Sequence, residues 1–170
     1  MRAAGTAKGY SIALANSGGI RASLDSGQVT LGEIMTILPF QNTMSTFKVT
    51  GKQLLAAIEN GVSQVEDGSG RFPQVSGMRF SFDMSKPANE RVTSIEIQEG
   101  NGSFSALNLY GTYGMVSNNF IRGGGDGYKM FRAATDIYDF GPDLADVVVD
   151  YIKANPGYIG YTDGRITQVK

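Results

Sequence analysis

The chain has 170 residues, the length of one domain, and its 41% hydrophobic and 18% charged residues exclude a disordered polymer. Fifteen Lys and Arg against sixteen Asp and Glu give a net charge of −1, which leaves no electrostatic footprint for a nucleic acid polymer or an anionic membrane. There is no Cys and no His, so a disulfide framework, a thiol nucleophile, a Ser–His–Asp triad and a His-ligated metal centre are all excluded.

Met1-Arg2-Ala3-Ala4 reads as the last turn of a helix whose beginning is absent. Tyr10–Ala15 reads as a short buried strand running into the turn Asn16-Ser17-Gly18-Gly19. That apolar run is too short for a signal peptide, and no run approaches membrane-spanning length. Thr30 and Glu33 form a capping box, with Leu31, Ile34 and Leu38 at helical spacing before Pro39. Thr43–Val49 alternates as a strand. Thr50 and Gln53 form a second capping box, opening a helix with Leu54, Leu55, Ile58 and Val62 on one face.

Asp67–Gln74, polar and containing Pro73, predicts a loop. Met78, Phe80 and Phe82, then Thr93, Ile95 and Ile97, predict two strands around a turn at Lys86-Pro87. Leu107–Ser117 predicts strand on both sides of Gly111, and Asn118–Gly127 a long glycine-tipped loop. Pro142 is expected at the first position of a helix carrying Leu144, Val147, Val148, Tyr151 and Ile152, ended by Asn155-Pro156. Asp163-Gly164 reads as a hairpin-type turn. Helices and strands are interspersed and two strand pairs read as hairpins. The expected fold is therefore α+β: one layered domain over residues 1–170, a mixed β-sheet with flanking helices.

Three places could carry chemistry. Asn16 can give and accept hydrogen bonds at once, as the edge of a heterocycle requires, and Arg21 offers a planar fork for phosphate or ribose oxygens. The plainer reading is an Asx-turn with a surface Arg. Asp126, in Gly123-Gly124-Gly125-Asp126-Gly127, could accept two hydrogen bonds from a pair of ribose hydroxyls; the alternative is a type I′ turn. The stretch is neither a Walker A loop nor a dinucleotide fingerprint. Phe40 and Phe120 sit at loop edges, off the apolar stripe of any element, and two such rings can sandwich a base or else belong to the core. Phe80 and Tyr151 lie on stripes and read as core. No His, Asp and Glu cluster or calcium loop appears.

In this order the chain carries Asn16-Ser17-Gly18-Gly19-Ile20-Arg21, Leu38-Pro39-Phe40, Thr50-Gly51 at a helix start, Asn119-Phe120-Ile121-Arg122-Gly123-Gly124-Gly125-Asp126-Gly127-Tyr128 and Gly164-Arg165-Ile166. The set resembles the C-terminal, substrate-binding domain of the 5′-nucleotidase / UDP-sugar hydrolase family, from about Ile12 to Ile166. The resemblance implies that Phe40 and Phe120 sandwich the base, Asn16 bonds its edge, Asp126 takes the ribose hydroxyls and Arg21 faces ribose and phosphate oxygens. Gly18, Gly19 and Gly125 complete the substrate-binding set. Ser17 stands where the family usually has a third Gly, and Arg2 is the candidate remnant of a further phosphate-pocket Arg.

The resemblance also implies no cofactor and no catalytic residue in this chain. Two divalent metal ions are expected in an N-terminal metallophosphoesterase domain that this chain lacks. Nucleosides, nucleotides and that domain are the implied partners, and the implied location is periplasmic or extracellular. Hydrolysis of a phosphate ester needs an activated water and neutralised oxygens, so the chain by itself is expected to be inactive. Within the whole enzyme it would help release phosphate from nucleoside 5′-phosphates or cleave UDP-sugars. The alternatives are a stand-alone nucleoside-binding module and a structural domain that has lost its ligand.

Overall fold

The structure is a computed structural model that describes residues 1–6 and 9–170. A short helix α1 (Arg2–Thr6) precedes β1 (Ile12–Asn16), which ends in a 3-10 turn at Ser17–Gly19. Both capping boxes form: Thr30 and Glu33 satisfy each other's backbone N–H groups at α2 (Leu31–Ile37), and Thr50 and Gln53 do so at α3 (Gly51–Val62). Strand β2 (Met44–Thr50) lies between these helices. Then follow β3 (Pro73–Ser76), β4 (Met78–Phe82), β5 (Val92–Gln98), β6 (Phe104–Ala106) and β7 (Thr112–Asn118). One helical turn, α4 (Asn119–Arg122), leads to two 3-10 segments, the edge strand β8 (Thr135–Tyr138), α5 (Leu144–Ala154) and β9 (Ile166–Gln168).

The strands make two mixed sheets with flanking helices, in keeping with the α+β class; the division into two sheets is not part of the expectation. One has five strands in the order β3-β1-β7-β2-β8, the other four in the order β6-β5-β4-β9. Each holds a parallel pair, β1 with β7 and β4 with β9, among antiparallel neighbours. The period of two in β1 and β2 sends Ile12, Leu14, Phe47 and Val49 to one face of the five-stranded sheet. There they meet Leu54, Ala57, Ile58 and Val62 of α3 and Phe80, Phe82, Ile95 and Ile97 of the second sheet in one core. The opposite face carries Ala13, Met44 and Val116, covered by Leu144 and Val147 of α5. Packed on both faces, the five-stranded sheet is a stiff platform whose loops carry the site.

Several expectations fail for identifiable reasons. Pro73 opens β3 instead of lying in a loop; it is the first residue of an edge strand, where a missing N–H costs nothing. Leu107–Tyr110 is not strand, because Asn108 Oδ1 accepts from the Tyr110 N–H at 3.0 Å and turns the chain. Asn118–Gly127 is not a long loop: Asn118 caps α4 and a 3-10 turn spans Gly125–Gly127. Pro142 precedes the helix cap, which is Asp143, its carboxylate accepting from the Ala145 N–H at 2.7 Å. Asp163-Gly164 feeds a strand that pairs in parallel with β4, so it closes no hairpin. Tyr151 is exposed and meets Tyr158 edge-on at 5.8 Å instead of entering the core.

Candidate functional site

Three segments converge at one end of the five-stranded sheet. Strands β1 and β7 run in parallel, so both finish there, and β2, antiparallel to β7, starts there. The turn after β1 carries Asn16, Gly18, Gly19 and Arg21; the approach to β2 carries Phe40 and Asn42; the turn after β7 carries Phe120, Gly125 and Asp126. Strand topology thus gathers residues more than a hundred positions apart, at the carboxyl ends of parallel strands, where α/β sheets hold ligands. The second and third segments are stitched together: the Asn119 N–H donates to the Thr43 carbonyl at 3.0 Å, and the Thr43 N–H to Asn119 Oδ1 at 3.2 Å.

Phe40 and Phe120 are 57% and 47% exposed, a large apolar surface to leave in water. Phe40 follows α2, and Phe120 lies in the turn capped by Asn118, its ring over Gly125. A Cβ at Gly125 would come within 2.5 Å of that ring. Arg122 pairs with Asp139, tying α4 to the segment before α5.

Behind the rings lies a buried polar core. The Ile121 N–H donates to Asn118 Oδ1 at 2.9 Å, Asn118 Nδ2 donates to Asn16 Oδ1 at 2.9 Å, and Asn16 Nδ2 donates to Asp126 Oδ2 at 2.7 Å. Asp126 has φ 50°, with Gly124 and Gly127 on either side also at positive φ. Asp tolerates that region better than most side chains. Asn60 Nδ2 donates to the Asp126 carbonyl at 3.1 Å and holds it there. Tyr128 closes the motif from inside, fully buried, its hydroxyl donating to the Arg71 carbonyl at 2.7 Å. Burial above all, and then the Asp126 charge, push the Tyr128 phenol well above its ordinary value, so it stays protonated.

The glycines answer to close approaches. The Gly18 N–H donates to the Gly70 carbonyl at 2.8 Å, and a Cβ on Gly18 would sit 3.0 Å from Gly70 Cα. The Ser17 hydroxyl donates to the same carbonyl at 3.3 Å. Arg21 is exposed and folds back, Nη1 to the Gly18 carbonyl at 3.3 Å.

A cavity of about 180 Å³ opens at this end, lined by Ala15, Asn16, Gly19, Leu38, Phe40, Asn42 and Leu144 among others. Of the eight residues expected from the sequence, Asn16, Gly19 and Phe40 line it. Asp126, Phe120 and Gly125 do not line it; Asp126 is hydrogen-bonded to Asn16, which does, and Phe120 and Gly125 lie against each other. Arg21 and Gly18 are on its rim segment without lining it. Sequence reasoning missed Asn42, Asn60 and Asn118. The first stands two positions after Phe40 and its side-chain amide makes no hydrogen bond among the described residues; no sequence pattern marked the other two. Among the described residues no three His, Cys, Asp or Glu side chains converge to hold a metal ion, and no helix is long and apolar enough to cross a membrane.

Two mixed sheets around a central helix, with a polar-cored candidate site at the loop end of one of them, define an α+β domain. The chain belongs to the 5′-nucleotidase C-terminal domain family, whose model matches residues 1–133. It is 39% identical over 164 residues to the trifunctional nucleotide phosphoesterase protein YfkN of Bacillus subtilis (strain 168), covering 96% of this chain and 11% of that protein. It is 36% identical over 163 residues to the apyrase of Tabanus yao, covering 92% of this chain and 29% of that one. The 5′-nucleotidase precursor from Thermus thermophilus superposes with a TM-score of 0.95 at 43% identity, over 99% of this chain and 33% of that chain. The chain therefore spans between 11% and 33% of the length of these proteins.

Proposed function

We propose that this domain holds the nucleoside part of a nucleotide for a 5′-nucleotidase-type hydrolase. The base lies between Phe40 and Phe120, and the ribose hydroxyls donate to Asp126. Arg21 faces ribose and phosphate oxygens, and Gly18, Gly19 and Gly125 keep the backbone close to the ligand. The base edge meets the N–H and lone pair that Asn16 still has free, with the amide of Asn42 beside it. The carrying observation is that two half-exposed phenylalanines stand on segments hydrogen-bonded to one another, next to a carboxylate fixed at its far side. Exposed rings on a rigid platform suit a flat partner, because stacking then costs little ordering.

In this reading the chemistry is divided. The residues present here bind and orient; among the described residues there is no donor set for a metal ion, and the sequence has no His to act as general base. Two divalent ions that activate water and neutralise the transferring oxygens would belong to a separate metallophosphoesterase domain, so this chain alone binds and does not hydrolyse. The substrates of the whole enzyme are nucleoside 5′-phosphates or UDP-sugars, and its location is periplasmic or extracellular, as the family resemblance implies.

Calorimetric or NMR titration with adenosine, uridine and AMP tests this. Saturable binding with a Kd on the order of 0.1–1 mM is expected, since two stacking contacts must offset the entropy of association. Phe120→Ala should weaken binding by about 1–3 kcal/mol, the worth of one stacked base, while leaving the thermal unfolding curve in place. Binding indifferent to Phe120→Ala overturns the sandwich. Phosphate release from AMP that scales with the purified chain and disappears in Phe40→Ala overturns the division of labour.

A further inference from the structure

Resting on the nucleoside reading, we propose that Asn118 and Asn16 are positioning residues that aim Asp126, and that this amide relay sets the preference for ribose over 2′-deoxyribose. Asn118 and Asn16 are 2% and 4% exposed, and each amide oxygen and nitrogen in the relay faces one partner. Oxygen and nitrogen of an amide are interchangeable in shape, so the direction of such a relay must be set at its ends. Here both ends are set. The Ile121 main-chain N–H is a donor and accepts nothing, so Asn118 must turn Oδ1 to it. That leaves Asn118 Nδ2 for Asn16, Asn16 Oδ1 for Asn118, and Asn16 Nδ2 for Asp126. An ionised carboxylate only accepts, so the far end agrees with the near one.

The consequence is a carboxylate fixed from behind. Asp126 Oδ2 receives Asn16 and its carbonyl receives Asn60, while Oδ1 makes no hydrogen bond among the described residues and stays open to a ligand. Hydrogen bonds in a low-dielectric line polarise one another, so an amide pointing its donor at the carboxylate both holds and orients it. Asn118 also caps the turn that carries Phe120. One buried amide thus fixes the register between the aromatic wall and the sugar-binding carboxylate.

Asn118→Asp tests the relay without removing the cap, because Asp caps a helix as well as Asn does. Its second oxygen pulls Asn16 Nδ2 away from Asp126 and turns Asn16 Oδ1 against the carboxylate. The Tm of Asn118→Asp is expected to fall by about 3–8 °C, the effect of one lost charge-assisted hydrogen bond in a domain of this size. Asp126→Asn alone should hold Tm, since either face of the new amide can meet Asn16. The double variant Asn118→Asp/Asp126→Asn reverses both side-chain links, keeps the cap on the Ile121 N–H, and should recover the wild-type Tm. A role limited to capping predicts no loss in Asn118→Asp and so nothing to recover; that pattern, or a double variant no more stable than Asn118→Asp, overturns the relay.

The ligand arm compares adenosine with 2′-deoxyadenosine, in which the base contacts are common and cancel. The wild-type chain should prefer the ribonucleoside by about tenfold, the worth of one hydrogen bond to a charged acceptor. Asn118→Asp should lose that preference. Tm recovery in the double variant together with an unchanged preference in Asn118→Asp overturns the positioning role and leaves the relay structural. If the wild-type chain binds neither nucleoside, the nucleoside reading fails and the sugar role with it, and the Tm series still decides the relay.

Discussion

At the loop end of the five-stranded sheet, Asn16 and Asn118 are buried and bonded to one another, while Phe40 and Phe120 face water. Around the four-stranded sheet the pattern is reversed. Phe80 and Phe82 are buried, and the polar groups are charged and paired, Arg79 with Glu96 at 2.6 Å and Arg165 with Asp163 at 2.6 Å near the surface, and the buried Arg91 with the exposed Glu66. The second arrangement is what stability alone produces, since buried rings contribute burial energy and solvated charges cost little. The first puts apolar surface in water and amides in the interior, a combination that stability does not select. The contrast between the sheets is what marks the loop end of the five-stranded sheet as the candidate site.

The largest effect is expected where the comparison is easiest to break. Phe80→Ala removes a side chain that is 2% exposed and sits 6.2 Å from the Phe82 ring. Urea unfolding should show a loss of about 3–5 kcal/mol, the usual cost of emptying a core aromatic site. Nucleoside affinity of the folded fraction should not change. Phe120→Ala is its mirror, costing affinity and not stability. A Phe80→Ala variant that stays stable, or that loses affinity while folded, removes the distinction between the two regions.

Much of this contrast was legible in the sequence. Both capping boxes, the alternation of Met78, Phe80 and Phe82, and the stripe of α3 are local patterns, and all three elements formed. Phe40 and Phe120 could be singled out because they fall off every stripe, and both are exposed. What stayed hidden depends on pairing across the chain. Strand β3 begins at a proline and β6 spans Phe104–Ala106, so neither has a period to read, yet each completes a sheet edge. The roles of Asn60 and Asn118 come from partners 66 and 102 positions away, Asp126 and Asn16 respectively. Asn16 itself stood out, but not that its amide would be bonded on both sides.

A smaller effect sharpens the comparison at one atom. Gly125 does not require a positive φ, so alanine fits its backbone, but the new Cβ would press within 2.5 Å of the Phe120 ring. That ring is half-exposed and free to swing outward. Stability in Gly125→Ala should therefore stay within about 0.5 kcal/mol, while nucleoside Kd rises about fivefold through a displaced wall. Titration that returns the wild-type Kd would show that the position of this ring does not matter to the ligand.

The smallest effect comes from protons and falls on the other sheet. Hydrogen bonds from the Arg79 guanidinium, first among the causes, hold Glu96 below its ordinary value of 4.5. Arg165 does the same for Asp163, and the Ser85 hydroxyl for Asp83, both below their ordinary 3.8. A carboxylate depressed in the folded state stabilises that state above its unfolded pKa, because the unfolded chain binds the proton more readily. The contribution is lost as pH falls through the depressed folded value. Glu96, Asp163 and Asp83 sit on or beside β4, β5 and β9, whereas the depressed Glu33 caps α2 outside the strands, so acid should loosen the four-stranded sheet first. Amide exchange followed from pH 5 downward, as about two units are crossed, should show β4, β5 and β9 losing protection before β1, β2 and β7. Because the pairs lie near the surface, added salt should shrink the difference. Loss of protection in both sheets together would mean that the charged pairs contribute nothing distinct and that the two regions share one stability.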